Sequence, residues 1–312
     1  MSSTGSKPTY YPDTSLPTQF CEFDREQPNQ LRVGAAGKEG VLNVTFKRDG
    51  NDNTFISKQY TQLPFHITRV LRLDDNLPGM AFLYIQMPTG GLLQGDRLQA
   101  CINLEQGTQV HITTQSVSKV YRMDKNYASQ ITDIHVGKGA FLEYYPDALL
   151  LQKGSRYSQK TRLVVHDDAT VIYGEIVLPG RVASGELFDY EIYHSDLLAE
   201  YCNGKPRFRE SLLLEPEQID VTRQGMLGHW KVFGNFYVIN KTVNLDQLSD
   251  EVHDILQDQE GILGGCSLLP SHDGIVVRIL GQHHRKVKTT MDQVWGWVRQ
   301  KLISTPLPQI RK

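Results

Sequence analysis

Cysteine is scarce in this sequence: Cys21, Cys101, Cys202 and Cys266 are the only four among 312 residues, and no two form a CxxC pair. That spacing excludes a zinc knuckle and a disulfide-dense secreted scaffold, and it fits a reducing cytoplasm. An excess of either charge is also missing, since 33 Lys and Arg face 35 Asp and Glu for a net charge of −2. No overall field is present to recruit nucleic acid or an anionic membrane surface, so neither is expected as a partner. Nowhere does an apolar run reach membrane-spanning length, and the opening MSSTGSKPTYYPDTSLPTQ has no apolar core of signal-peptide length. Ser118, Ser155 and Ser184 lack the setting of a nucleophile elbow, which argues against a serine hydrolase. Against these absences stands a hydrophobic content of 39%, sufficient for a real core.

A glycine-rich stretch, PTGGLLQGDRLQACINL from Pro88 to Leu104, has the look of a phosphate loop and fails the test for one. A Walker loop ends in Gly-Lys-Ser/Thr and opens a helix whose N-terminal amides face the phosphates. This loop ends in Gly95-Asp96-Arg97, and Leu98, Ala100, Ile102 and Leu104 then alternate with polar neighbours. Period two predicts a strand and offers no helix N-terminus. Gly90, Gly91 and Gly95 also have the wrong spacing for a dinucleotide fingerprint. These glycines bend the backbone.

From Val41 to about Glu215 turn signals are frequent and the segments between them are rich in Val, Ile, Tyr, Phe and Thr. Three segments align on one another: INLEQGTQVHITTQ from Ile102, IHVGKGAFLEYYPD from Ile134 and LVVHDDATVIYGEI from Leu163, at offsets of 32 and 29 residues. In each, a strand meets a tight turn (Gln106-Gly107, Lys138-Gly139, Asp167-Asp168), and a second strand follows. Its apolar residues fall in columns, Val110 with Leu142 and Val171, then Ile112 with Tyr144 and Tyr173. A period near thirty residues in β-rich sequence predicts strands stacked coil upon coil. The other reading is a set of ordinary sandwich hairpins.

Farther on, Asn203-Gly204 predicts a hairpin with a type I′ turn. The period then changes to that of a helix in VNLDQLSDEVHDILQDQEG, with Leu245, Leu248, Val252, Ile255 and Leu256 on one face, and again in TTMDQVWGWVRQKLIS. The fold class expected is therefore mainly β (α+β): a β-helical stack of short strands with a few accessory helices toward the C-terminus. A flexible, polar arm is expected over residues 1–40 and a single domain over 41–312.

Five blocks carry a more specific signal: GGLLQGDRL from Gly90, TTQSVSKVY from Thr113, GAFLEYYPDALLLQKGSRYSQ from Gly139, GRVASGELF from Gly180 and GGCSLLPSHDGIVVRILG from Gly264. In order and spacing they resemble the urease accessory protein family UreD, called UreH in some organisms, over most of Val41 to Trp295. The long N-terminal arm and the insertion RDGNDNT from Arg48 depart from the family pattern. The resemblance implies a cytoplasmic, non-enzymatic maturation factor that assists nickel insertion into urease. It also implies a β-helical stack, and partners that are apo-urease on one side and UreF on the other, UreF carrying the GTPase UreG that brings nickel. No permanently bound cofactor is expected, only nickel in transit.

Candidate residues for that traffic each have two readings. Asp96, after Gly95, either caps turn amides or lines a polar route or partner surface. His111 and Glu143 share a column of the repeat, so they form either a charge-assisted cross-strand pair or part of a site for a borderline divalent ion such as nickel. Thr114, Pro146 and Glu175 share another column. A transient path through Asp96, His111, Glu143 and Glu175, with Thr113, Thr114, Gln115 and Ser118 as polar lining, supplies spaced oxygen and nitrogen ligands rather than a closed thiolate cage. No histidine spacing predicts a high-affinity metal site. The competing function is a β-helical carbohydrate-active enzyme using paired carboxylates drawn from Glu143, Asp147, Glu175 and Glu186. Trp295 and Trp297 read as core or as anchors for UreF, and the basic run HHRKVK from His283 as a solvated face preceding the last helix. The tract from Gly180 to Glu215, together with the C-terminal helices, is the expected protein-binding surface.

Overall fold

The computed structural model describes residues 16–24 and 37–310. The strands in chain order are β1 (Glu39–Arg48), β2 (Thr54–Gln62), β3 (His66–Ile67), β4 (Ala81–Gln86), β5 (Arg97–Leu104), β6 (Gln109–Thr114), β7 (Ser118–Val120), β8 (Ala128–Val136) and β9 (Phe141–Tyr144). They continue with β10 (Leu149–Leu151), β11 (Arg156–Val165), β12 (Thr170–Leu178), β13 (Ile192–Tyr201), β14 (Pro206–Leu214) and β15 (Val232–Ile239). Helix α1 (Leu245–Gln257), β16 (Ile262–Leu268), β17 (Gly274–Gly281) and α2 (His284–Ile303) complete the chain.

Within the stack, from β4 to β13, successive strands do not pair with each other but with the strand one coil away. β1, β5, β8, β11 and β13 run parallel at the centre of a seven-stranded sheet, closed at its ends by antiparallel β2 and β14. β4, β6, β9 and β12 run parallel in a ten-stranded sheet, extended by antiparallel β15, β17 and β16. A short third side joins them, where Leu92 bridges Val120 and Val120 pairs with Leu151. The stack is thus β-helical, and the aligned columns are its register: Ile102 pairs with Ile134 and Ile134 with Leu163, while Val110 pairs with Leu142 and Leu142 with Val171. The repeat extends past the three aligned segments, to β1 and β4 on one side and β13 on the other.

The turns between paired sides are built as the sequence implies. Thr108 N donates to Glu105 O, Ala140 N to Gly137 O and Ala169 N to His166 O, each closing a four-residue turn. Gly91 answers the question raised by its loop. A Cβ there would lie 2.4 Å from Lys119 O, which accepts the Leu92 amide at 2.8 Å, so only glycine lets this loop pair with β7.

Two apolar cores result. One fills the space between the sheets, with Leu42, Ile102, Ile134, Leu163, Val110, Leu142 and Val171 inside it. The other lies between the ten-stranded sheet and the helices, where Leu248, Val252, Met291, Val294 and Val298 meet Ile172, Phe236 and Val277. Asn244 caps α1 by accepting the Gln247 amide. Residues 16–24 add a small cluster in which Phe20 packs on Tyr127 at 5.1 Å.

Three expectations need correction. The basic run does not precede the last helix: α2 starts at His284, and Val287 within that run is fully buried against Gly281. An apolar residue three positions before Thr290 carries the helical face back through the charges. The hairpin after β13 is not type I′, because Gly204 alone in its tip has positive φ; the Gly204 amide donates to Tyr201 O and the Tyr201 amide to Lys205 O. That is a type I turn ending in a glycine bulge. Finally, β1 begins at Glu39 rather than after residue 40, and most of the expected arm over 1–40 lies outside the described residues.

Candidate functional site

The inner faces of the two sheets change character along the strands. On one sheet the inward row Ile102, Ile134, Leu163 is followed two residues earlier by Ala100, Thr132, Thr161, and two earlier again by Leu98, Gln130, Gln159. On the other, the row Val110, Leu142, Val171 is followed by Ile112, Tyr144, Tyr173, and beyond that by Thr114 on β6 and Glu175 on β12. Apolar residues seal one edge of the interior. At the other, a cavity of about 130 Å³ lies between Gln130, Thr132, Gln159 and Thr161 on one wall and Tyr144, Tyr173 and Glu175 on the opposite wall. Thr114, Gln115, Ser118 and Asp147 border it beside the glycine loop, where Gly90 and Gly91 also line it. Most of the rest of its lining is apolar, Phe65, Met87 and Leu92 included, and its size suits water or a hydrated ion.

Glu175 is the interior carboxylate of this cavity. Its Oε1 accepts from Asn235 Nδ2 at 3.0 Å and its Oε2 from Gln159 Nε2 at 3.2 Å, and Gln159 Nε2 also donates to the Tyr193 hydroxyl at 2.9 Å. Burial pushes the Glu175 pKa up to about 6, against the lowering effect of the Asn235 hydrogen bond. Near neutral pH it is ionised, but it exchanges its proton within the physiological range. The surrounding phenols stay neutral, burial raising Tyr144 to about 12.

The other expected residues lie elsewhere. His111 and Glu143 do meet, Nδ1 to Oε2 at 2.9 Å, but on the opposite face of the ten-stranded sheet, under α2. The His111 ring is stacked between Phe82 at 5.2 Å and Trp295 at 5.3 Å. Glu143 also accepts from Trp295 Nε1 at 2.9 Å and from Arg299 at 3.2 Å, while Arg299 pairs on its other side with Asp74. This buried network ties α2 to the sheet, as a cross-strand pair with added cation does. Thr113 shares that face and donates to Tyr145 O at 2.7 Å. Asp96 is buried, but its oxygens accept the backbone amides of Lys38 at 3.2 Å and Leu93 at 2.9 Å, and burial pushes its pKa up. Among the carboxylates of the glycosidase reading, Glu143 is engaged by Arg299 and Glu186 by Arg181. Trp295 is core, whereas Trp297 is 38% exposed and donates to Glu251. Among the described residues no group of three or more His, Cys, Asp or Glu is placed to hold a metal ion.

The cavity therefore gathers Glu175, Thr114, Gln115 and Ser118 from the expected set, and adds Gln130, Thr132, Gln159 and Thr161. A signal for these four was present: they continue, at steps of two, the inward columns that Ile134 and Leu163 define.

Comparison with known proteins places this architecture. The family model described as UreD urease accessory protein matches residues 38–312. The chain is 39% identical over 283 residues to the urease accessory protein UreD of Cenarchaeum symbiosum (strain A), covering 91% of this chain and 99% of that protein. To urease accessory protein UreD of Haloarcula marismortui it is 36% identical over 293 residues, covering 94% of this chain and 97% of that one. To urease accessory protein UreD 2 of Brucella canis it is 33% identical over 287 residues, covering 91% and 95%. With a match spanning nearly all of the stack and both helices, this chain belongs to the UreD family of urease accessory proteins.

Proposed function

We propose that this chain matures urease in the cytoplasm by binding apo-urease and a UreF–UreG assembly at separate surfaces, with nickel crossing between them through the interior cavity. The observation that carries this reading is Glu175, a buried carboxylate facing hydroxyls and amides in the space between the sheets, with Asp147 at the border of the same space. Such oxygen ligands hold a divalent ion less tightly than thiolates or clustered imidazoles do, and a carrier must release what it binds. The ion meets Glu175, the neutral phenols and the side-chain carbonyls in turn, and nothing in the lining closes a coordination shell. For the partners, the loop after β12 exposes Val182 and Leu187, and α2 exposes Trp297, apolar groups of the kind that protein contacts bury. Among the described residues no helix is long and apolar enough to cross a membrane.

Deletion of the gene in a urease-producing host tests the reading. Urease should assemble with its normal fold but carry little nickel and have little activity. Normal nickel occupancy in the deletion strain contradicts it.

A further inference from the structure

Both helices pack on the ten-stranded sheet, yet the outer face of the seven-stranded sheet also has a covered patch. Arg97, Ser129, Ser158, His194 and Leu213 form an in-register row there, on the face opposite Leu98, Gln130 and Gln159, and all but Leu213 are buried. Residues 16–24 lie on this row. Phe20 is buried against the Tyr127 ring at 5.1 Å and the His194 ring at 6.4 Å, and Phe23 packs on the Arg156 guanidinium at 4.3 Å. Asp24 faces Arg97 at 3.6 Å, and Leu16, Ile192 and Leu213 complete the cluster. The groove holds its shape through bonds of its own. Arg97 donates to Asn126 Oδ1 at 2.9 Å and to Tyr127 O, Arg156 donates to Glu191, and the Ser158 hydroxyl meets His194 Nδ1 at 2.9 Å. The backbone-to-backbone bonds of residues 16–24, among the described residues, are those of their own turn: Phe20 N to Pro17 O and Phe23 N to Phe20 O. Anchors at i, i+3 and i+4 are the way a groove reads a short helical turn.

We propose that this patch is a peptide-docking groove with residues 16–24 as its internal ligand, and that the segment exchanges with an acidic one, carrying two aromatic residues three apart, on a protein bound elsewhere on this chain. The two buried guanidiniums select that chemistry. Arg156 takes an aromatic face and Arg97 a carboxylate, whereas a basic segment would set a further positive charge against both. Twelve residues join Asp24 to Gly37, whose amide donates to Gln94 O three residues before Arg97, so the internal ligand is tethered close to where it binds. A tether that short holds it at an effective concentration of about millimolar, which shuts out a free peptide of modest affinity. A segment borne by a protein already docked on this chain has a local concentration of the same order and competes on equal terms. The groove is therefore closed to free peptides and open to the second contact of a bound partner.

Fluorescence anisotropy on the purified full-length protein tests this, using a labelled peptide that copies residues 14–26 with Cys21→Ser, and thermal melting of each variant alongside. Phe20→Ser/Phe23→Ser, which empties the groove, should bind the peptide at least about tenfold more tightly than the parent, as release from millimolar competition requires. Asp24→Lys alters a side chain that is 43% exposed; it should give a smaller gain and serves if the double variant does not fold. A peptide with both phenylalanines replaced by serine should bind none of them. Parent-level binding by both variants, or equal binding of the altered peptide, overturns the inference. A dimer of the parent at high concentration that Phe20→Ser/Phe23→Ser abolishes, seen by light scattering, would assign the exchange to a second copy of the chain and overturn it likewise.

Discussion

Asp96 sits at a glycine bend with both oxygens engaged by main-chain amides, those of Lys38 and Leu93. Its removal leaves two buried donors without an acceptor, and that penalty exceeds the net worth of the bonds themselves. Asp96→Ala should therefore cost about 1–3 kcal/mol, read as an earlier thermal or denaturant midpoint. A variant that melts with the parent would show that the carboxylate does not hold the turn. Glu175 differs, because its ligands are side chains and its pKa is raised to about 6 from 4.5. The native state holds that proton more tightly than the unfolded chain, so stability falls as pH rises from 4.5 to 6 and is level beyond. Glu175→Gln should flatten this part of the profile in melting curves taken across it. An unchanged slope would mean that the carboxyl is not buried as described.

Among the elements, the parallel coils of the stack carry the stability. Leu142 is fully buried between Val110 and Val171 in adjoining coils, and Leu142→Ala should cost about 2–5 kcal/mol, measured by denaturant unfolding. Little or no loss would mean that the coils do not stack at that column. This column was legible in the sequence because a tight turn precedes it in each unit and fixes the register. The facing of the site was legible too, yet less directly. His111 and Glu143 sit at odd steps from Val110 and Leu142, and so they point away from Glu175, which lies an even number of residues from Val171. Period two separates them. What local sequence could not supply is the partner of that outward face: Arg299 and Trp295 reach Glu143 from more than 150 residues away, and only packing of α2 on the sheet brings them there. The start of α2 was obscured for a related reason, since Val287 is one apolar residue amid five basic or histidine side chains and it packs on Gly281 opposite.

Over the whole molecule, the two sheets form a container that is dry on one edge and polar on the other, with its helices on one outer face. Near-neutral net charge leaves recognition to local surfaces rather than to a long-range field. If the interior serves nickel transfer through Glu175, the decisive quantity is nickel per urease active site in cells whose UreD-family protein carries Glu175→Gln, measured beside pull-down of UreF and thermal melting of the variant. Urease should be nickel-poor, with the fold and UreF binding of the variant retained. Full nickel occupancy in that strain would contradict this role.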